Sequence, residues 1–390
     1  MSEAQSSARV LFRAALVIFL VTIVIGILNG ADLWKPSNTM LLTHVHAGTL
    51  GWITLAVFGA ALLMFRAEEG DVGVLRLAWF SIAATALYVV AFATGTGVFR
   101  PIAGTLELAA IVWMLAWVAR RYGTSEKTSG QLGILLAMVS LTIGAVLGVL
   151  LGLFIANGDI PGLSDDVASS LAGAHPPAML IGYLVLAGAA IVHWLLEGPA
   201  TRAGLVVMWA LFLGGIAANL AFILDIDALI QVASLLEVLA IVTFTVHMWS
   251  RIKPSTWSGG GTETFARLSA VFLLVGVGLL VYVVQLFVSG ELDPETGVGP
   301  VRVLLAFDHS MFVGVMTNAL FALVGRSVPG GVSSAVAWLV NGGVVIFLVG
   351  LVADSDILVQ IGAPIMGLAL LYGVYVFLTR MGSLQTSPAG

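Results

Sequence analysis

Apolar residues along this chain neither alternate nor form narrow helical stripes. They come in nearly unbroken runs of about 20 residues, divided by short polar segments. At about 1.5 Å per residue, one such run crosses a hydrocarbon core of about 30 Å. The runs predict twelve spans, at 12–28, 40–65, 77–99, 101–119, 131–156, 169–196, 203–224, 228–250, 266–289, 302–325, 333–352 and 357–379. Alternating segments of about ten residues, the mark of a membrane barrel, are missing from the pattern. The expected fold is therefore all-α: a polytopic membrane protein with one transmembrane domain over 1–390. No small-residue cleavage pattern follows the first run, which is expected to remain as a span. Segments outside the spans reach no more than about fifteen residues, so a soluble redox domain would have to come from another chain.

Composition narrows the field. Apolar side chains make up 59% of the 390 residues and charged ones 9%, with a mean hydropathy of +1.08. A soluble domain is about 45–50% apolar and about 25% charged, so a water-soluble globule and a nucleic-acid-binding protein are both excluded. The chain has no cysteine, which excludes disulfides, zinc–thiolate sites, iron–sulfur clusters and covalent c-type haem. Lys and Arg are strongly biased: 13 of the 16 (Arg9, Arg13, Arg66, Arg76, Arg120, Arg121, Lys127, Arg202, Arg251, Lys253, Arg267, Arg326 and Arg380) fall at one set of span ends, and only Lys35, Arg100 and Arg302 at the other. The positive-inside rule then places both termini in the cytoplasm, as expected for a prokaryotic inner membrane. The opposite loops are acidic (Asp159, Asp165, Asp166, Glu291, Asp293 and Glu295). Acidic loops translocate without penalty, and they also suit a cationic partner such as a cytochrome c.

The chain also repeats itself. Leu106-Glu107, Ala110-Ile111-Val112 and Arg121 match Leu236-Glu237, Ala240-Ile241-Val242 and Arg251 at an offset of 130. Gly51-Trp52 matches Gly182-Tyr183, and His44 matches His175, at 131. Three parallel four-helix units are expected, at approximately 10–128, 129–262 and 263–382, forming three pseudo-symmetric arcs.

Six histidines punctuate this apolar sequence. His44, His46, His175 and His309 lie four to seven residues into the second, sixth and tenth spans, the second helix of each repeat. That places them at one depth, roughly 6–10 Å below the outer surface. Polar groups at such depth are costly, and a neutral imidazole is a natural metal ligand. His44 aligns with His175, and His46 with His309. Two residues apart on a helix, His44 and His46 face different neighbours, so at most one of them serves any single metal. His193 and His247, at the inner ends of the sixth and eighth spans, read as interfacial packing.

Twelve spans in three arcs, with histidines on the second, sixth and tenth, resemble subunit I of the haem–copper oxidase superfamily. Gly173-Ala174-His175-Pro176-Pro177 is similar to the family's copper-binding Gly-His-Pro-Glu segment. His44-Val45-His46-Ala47-Gly48 with Gly51-Trp52 resembles the segment that ligates low-spin haem, and Phe307-Asp308-His309 the haem-ligating tenth helix. The likeness is incomplete. The seventh span has no histidine, Met179 stands where the family has a tyrosine, and the tenth span has one histidine unless Met311 takes a ligand position. The resemblance thus implies a haem scaffold without a full copper site, closer in function to the NnrS-type haem proteins of nitric oxide stress than to an oxygen-reducing oxidase. One or two haem b per chain are expected and copper is not. His46 and His309 form the best axial pair, His44 is the alternative on the second span, and His175 is available for a second haem or a lone metal. Arg100 and Arg302 suit propionates, or else anchor membrane ends.

Glu107, Glu237 and Asp308 are the carboxylates within the spans. They read as acceptors for imidazole N–H groups, as proton-transfer stations, or as helix–helix hydrogen bonders. Two function classes follow: a haem protein passing electrons, from quinol or a cytochrome, or binding nitric oxide or dioxygen; and a proton-coupled transporter with an intramembrane His/Glu/Asp site. Reporter fusions at the two termini check the orientation. A fluorescent protein that matures only in the cytoplasm is expected to fluoresce at both ends, and a dark fusion at either would overturn it.

Overall fold

A computed structural model describes residues 3–65, 73–95, 97–157, 165–196, 201–257, 259–292 and 299–383. Arg66, Asp159, Asp293, Glu295 and the side chain of Asp165 lie outside the described residues. The protein is an all-α polytopic membrane protein, with no strand among the described residues and twelve helices long and apolar enough to span a bilayer. They are α1 (Gln5–Gly30), α2 (Asn38–Met64), α3 (Gly73–Thr94), α4 (Phe99–Thr124), α5 (Ser129–Ala156), α6 (Asp166–Leu195), α7 (Arg202–Leu224), α8 (Asp227–Ile252), α9 (Gly261–Val288), α10 (Arg302–Arg326), α11 (Ser334–Val352) and α12 (Asp356–Met381).

Every predicted span has a helix, and the differences lie at the ends. α3 stops at Thr94 rather than 99, because Gly95 takes a left-handed conformation (φ 68°) that ends the helix in an otherwise apolar stretch. α2 starts at Asn38, with Ser37 accepting the backbone N–H of Met40, and α6 starts at Asp166. His44, His46 and His175 consequently sit six to nine residues into their helices, two or three further from the helix start than the spans read from hydropathy implied, while His309 keeps its seven.

Enclosure separates the helices into two kinds. The most apolar stretches of α2, α6 and α10 are 94%, 83% and 72% buried, whereas no other span exceeds 56%. The helices that carry His44, His46, His175 and His309 are the interior ones, and the rest keep a broad apolar face for lipid.

The chain forms two compact units. One comprises Ala60–Met248 with the first few residues of the chain. In it α3 packs on α4, α4 on α5, and α5, α6 and α7 on one another. At the α6–α7 crossing, a Cβ on Gly215 would overlap the backbone of Gly182, so only glycine allows this approach.

The other unit comprises Ala8–Gly59 and Trp249–Gly390. Its core is aromatic: Trp52 stacks on Phe19 (4.7 Å between centroids), and Phe321 meets Phe19, Trp52, Phe265 and Phe377 edge-on. Trp52 donates its indole N–H to Thr317 (3.0 Å), tying α2 to α10. Asn318 and Asn341, both buried, exchange amide hydrogen bonds of 2.6 and 3.0 Å between α10 and α11. Each also donates to a carbonyl on its own helix, so the clasp is saturated. Replacing Asn318 or Asn341 singly by Leu strands the other amide and should cost about 1–2 kcal/mol. The double replacement should recover much of that, as read by a thermal-unfolding cycle in detergent; strict additivity would contradict a shared clasp.

Candidate functional site

Within three residues of its deep histidine, each interior helix widens into a π-helical segment: Ala47–Thr54 in α2, Ala178–Val185 in α6 and Ser310–Thr317 in α10. The starts, 47, 178 and 310, are spaced by 131 and 132 residues, the offset of the sequence repeat. Pro176 and Pro177 precede only one of them, and α6 runs through both prolines into the wide turn. Proline therefore does not cause the widening. Common to all three is a glycine, Gly51, Gly182 and Gly314, and in two a threonine hydroxyl bonds the carbonyl five residues back: Thr54 to Thr49 (3.0 Å) and Thr317 to Phe312 (2.8 Å). Single π turns concentrate at functional positions.

The four deep imidazoles share one hydrogen-bond habit. Each places Nδ1 at 2.7–2.9 Å from a backbone carbonyl oxygen, which only accepts, so Nδ1 carries the proton. Nε2 is then the unprotonated nitrogen, the one whose chemistry is that of a metal ligand or base.

They divide into two pairs. His44 docks across to α1, with Nδ1 donating to Thr22 O and the ring lying over Gly26; His175 docks across to α5, donating to Gly144 O and lying over Gly148. A Cβ at Gly26 or Gly148 would come 3.1 or 2.9 Å from the ring. In the third repeat the corresponding residues are Phe307 and Leu280, both buried. His46 and His309 instead donate to carbonyls one turn back on their own helices, Leu42 and Leu305. His44 and His309 lie within electrostatic range of one another, and the His309 ring rests on Phe347 (4.9 Å).

The remaining site residues are dispersed. Met311 is buried against Gly276 of α9. Asp308 does not receive the His309 Nδ1 proton, which goes to Leu305. Arg302 is engaged by Asp354 (2.7 Å) and Asp356 (2.9 Å) at the surface. Arg100 lies over Phe92 and donates Nη2 to its carbonyl, while its buried Nε has no hydrogen-bond partner. Glu107 and Glu237 are 2% and 1% exposed. Thr85 donates to Glu107 Oε2 (2.9 Å), so Glu107 binds a hydroxyl while the imidazole protons go to backbone carbonyls. Oε1 of both glutamates lacks a partner. Among the described residues no three His, Cys, Asp or Glu side chains converge as a metal cluster.

The hydropathy pattern concealed one pairing. His193 and His247 stack face to face between α6 and α8 (5.6 Å, 12°), and His247 Nε2 lies 3.5 Å from the Thr201 hydroxyl. Their equal distance from the basic span ends was the only available signal. Nitrogen NMR of 15N-histidine-labelled protein, purified free of any cofactor, should find His44, His175 and His309 as Nδ1–H tautomers. Gly148→Leu should shift the His175 signal and leave His44 in place; an Nε2–H tautomer at His175 in the unmutated protein would contradict the docking.

No known family and no characterised protein matches this sequence, so function must be read from the side-chain geometry.

Proposed function

We propose that this chain is a haem b-binding integral membrane protein, resembling subunit I of the haem–copper oxidases and closer in role to the NnrS-type proteins than to an oxygen-reducing oxidase. The observation that carries this reading is the matched state of His46 and His309. They stand on two interior helices that meet through their π segments in one unit, and both commit Nδ1 to a carbonyl on their own helix. Two imidazoles with Nδ1 committed and Nε2 unprotonated are in the state that bis-histidine ligation of a haem iron requires. His44, turned toward α1 and near His309, is the alternative on α2.

His175, in the other unit, has the same tautomer and would serve a second haem or a lone metal. Of the two arginines, Arg100 keeps an unused donor for a propionate, whereas Arg302 already holds two carboxylates. Haem b would supply a reversible iron couple and, where one axial position is open, an affinity for nitric oxide or dioxygen. Electrons would come from quinol in the bilayer or from a cytochrome c at the acidic loops, across the prokaryotic inner membrane that the charge bias indicates.

Reduced-minus-oxidised visible spectra with pyridine haemochrome analysis test the proposal. About one or two haem b per chain are expected. His46→Ala and His309→Ala should each abolish the six-coordinate low-spin spectrum, while His44→Ala should leave it intact. A colourless, metal-free protein would overturn the haem reading and favour proton-coupled transport; loss of the spectrum in His44→Ala alone would move the ligand on α2.

A further inference from the structure

Glu107 and Glu237 occupy equivalent positions in their repeats, yet their surroundings differ in a way that assigns one of them a task. Glu107 belongs to a row of polar side chains between α3 and α4. Thr85 and Tyr88 lie three residues apart on one face of α3. Arg100 and Glu107 lie seven apart on one face of α4, about 10 Å along the axis. Between those two is Gly104, where a Cβ would stand in ordinary contact with Val149 Cγ2 of α5 (3.4 Å) and with Tyr88 Cε2 (3.5 Å), which places the Tyr88 ring beside α4 between Arg100 and Glu107. Tyr88 is in electrostatic range of both Glu107 and Arg100. The row therefore runs from the buried carboxyl, past the phenol, to the guanidinium one residue from the start of α4, where the membrane face lies. Unused hydrogen-bonding capacity marks both ends, at Glu107 Oε1 and Arg100 Nε.

Glu237 has no such row. The residues of α8 corresponding to Gly104 and Arg100 are Ser234 and Ile230; the Ser234 hydroxyl bonds back to the Ile230 carbonyl, and Ile230 offers no polar group. Its carboxyl lies against Gly214 of α7, where a Cβ would fall 2.8 Å from Oε1.

We propose that Glu107 is a proton-exchange site that communicates with the membrane face at which α4 begins, through Tyr88 and Arg100, and that Glu237 is its sealed counterpart. A carboxylate charge with one hydroxyl donor is too costly at this depth, so Oε1 carries the proton at rest. On release, the proton passes from Oε1 to the Tyr88 oxygen as the phenol gives its own proton to water at the face. The carboxylate left behind is held by the Thr85 hydroxyl, and the charge of Arg100 acts on the phenol that relays the proton; uptake is the reverse. The groups facing Glu107 are Thr85 and Tyr88 from α3 and Arg100 from α4, and α5, packed on α4, carries no titratable residue. The proposal does not require the haem reading: of its groups only Arg100 is also a candidate for a propionate, and the test follows the carboxyl of Glu107 itself.

Infrared spectroscopy of the full chain in lipid nanodiscs tests it through the C=O stretch of protonated carboxyls on transfer to D2O. The expected result is one fast-exchanging component that disappears in Glu107→Gln and one slow component that disappears in Glu237→Gln. Tyr88→Phe should slow the fast component at least about tenfold while the slow one stays unchanged. Should Glu107→Gln fail to fold, the unmutated protein and Tyr88→Phe are compared by dicyclohexylcarbodiimide labelling mapped by mass spectrometry; faster labelling at Glu107 than at Glu237, slowed by Tyr88→Phe, is the supporting result. Equal exchange at the two glutamates, no effect of Tyr88→Phe, or loss of the Glu107 band on adding sodium at constant pH (a metal cation in place of the proton) would each overturn the proposal.

Discussion

An imidazole buried in an apolar bundle must give its N–H to something, and for the four deep histidines of this protein the acceptor is the backbone. Helices saturate their own carbonyls only with one hydrogen bond each, so the second lone pair of a carbonyl is the one polar resource that every span supplies. Using it settles the tautomer of all four deep histidines at once and turns each Nε2 into an unprotonated nitrogen. It also explains the glycines at 26 and 148. A ring can reach the carbonyl of a neighbouring helix only where that helix exposes its backbone, and a side chain at either position would hold the ring off. In the third repeat Leu280 fills that place, and an apolar Phe307 stands where the docked histidine would be.

The enclosure of α2, α6 and α10 follows the same logic. Groups that need hydrogen-bond partners are placed on helices surrounded by others, and the helices left at the periphery are those that lipid can cover. Exceptions such as Glu107 and Glu237 sit on less enclosed helices, yet their carboxyls turn inward and are almost fully buried. The two units solve their remaining polar problems differently. One uses a saturated asparagine clasp and an indole–hydroxyl bond to hold α2, α10 and α11, and the other leaves carboxyl oxygens uncompensated. The first arrangement is rigid, and the second keeps a group able to change its charge.

Much of this was legible in the sequence, because the dominant signal in a membrane chain is the length of apolar runs, and nothing in the folded state competes with it. The twelve helices and the grouping of His44 with His175 and His46 with His309 both come from spacing, and the structure gives each pair its own docking mode. What spacing could not reveal depends on the third dimension. The stacking of His193 on His247 joins two helices whose rotation about their axes is set by packing. Arg302 suited a haem propionate or an anchor at a membrane end, but its two carboxylate partners arrive from Asp354 and Asp356, about fifty residues away. The difference between Glu107 and Glu237 was not drawn from the sequence because the two glutamates align perfectly, and Arg100, Gly104 and Tyr88 gain their bearing on Glu107 only once α3 is packed on α4.

The three wide turns carry a consequence for how this chain tolerates change. A π turn is an α-helix with one residue too many, so everything on one side of it is rotated by about 100° relative to an uninterrupted helix. In α2, α6 and α10 the four deep histidines lie on one side of that extra residue and the deeply packed glycine- and alanine-rich half lies on the other. Loss of a single residue within Ala47–Thr54 would leave both halves chemically intact and still helical, yet it would swing one against the other like a key turned in its lock. The same count of residues that lengthens the helix by one also sets where its imidazoles aim, so in these helices length and direction are inherited together.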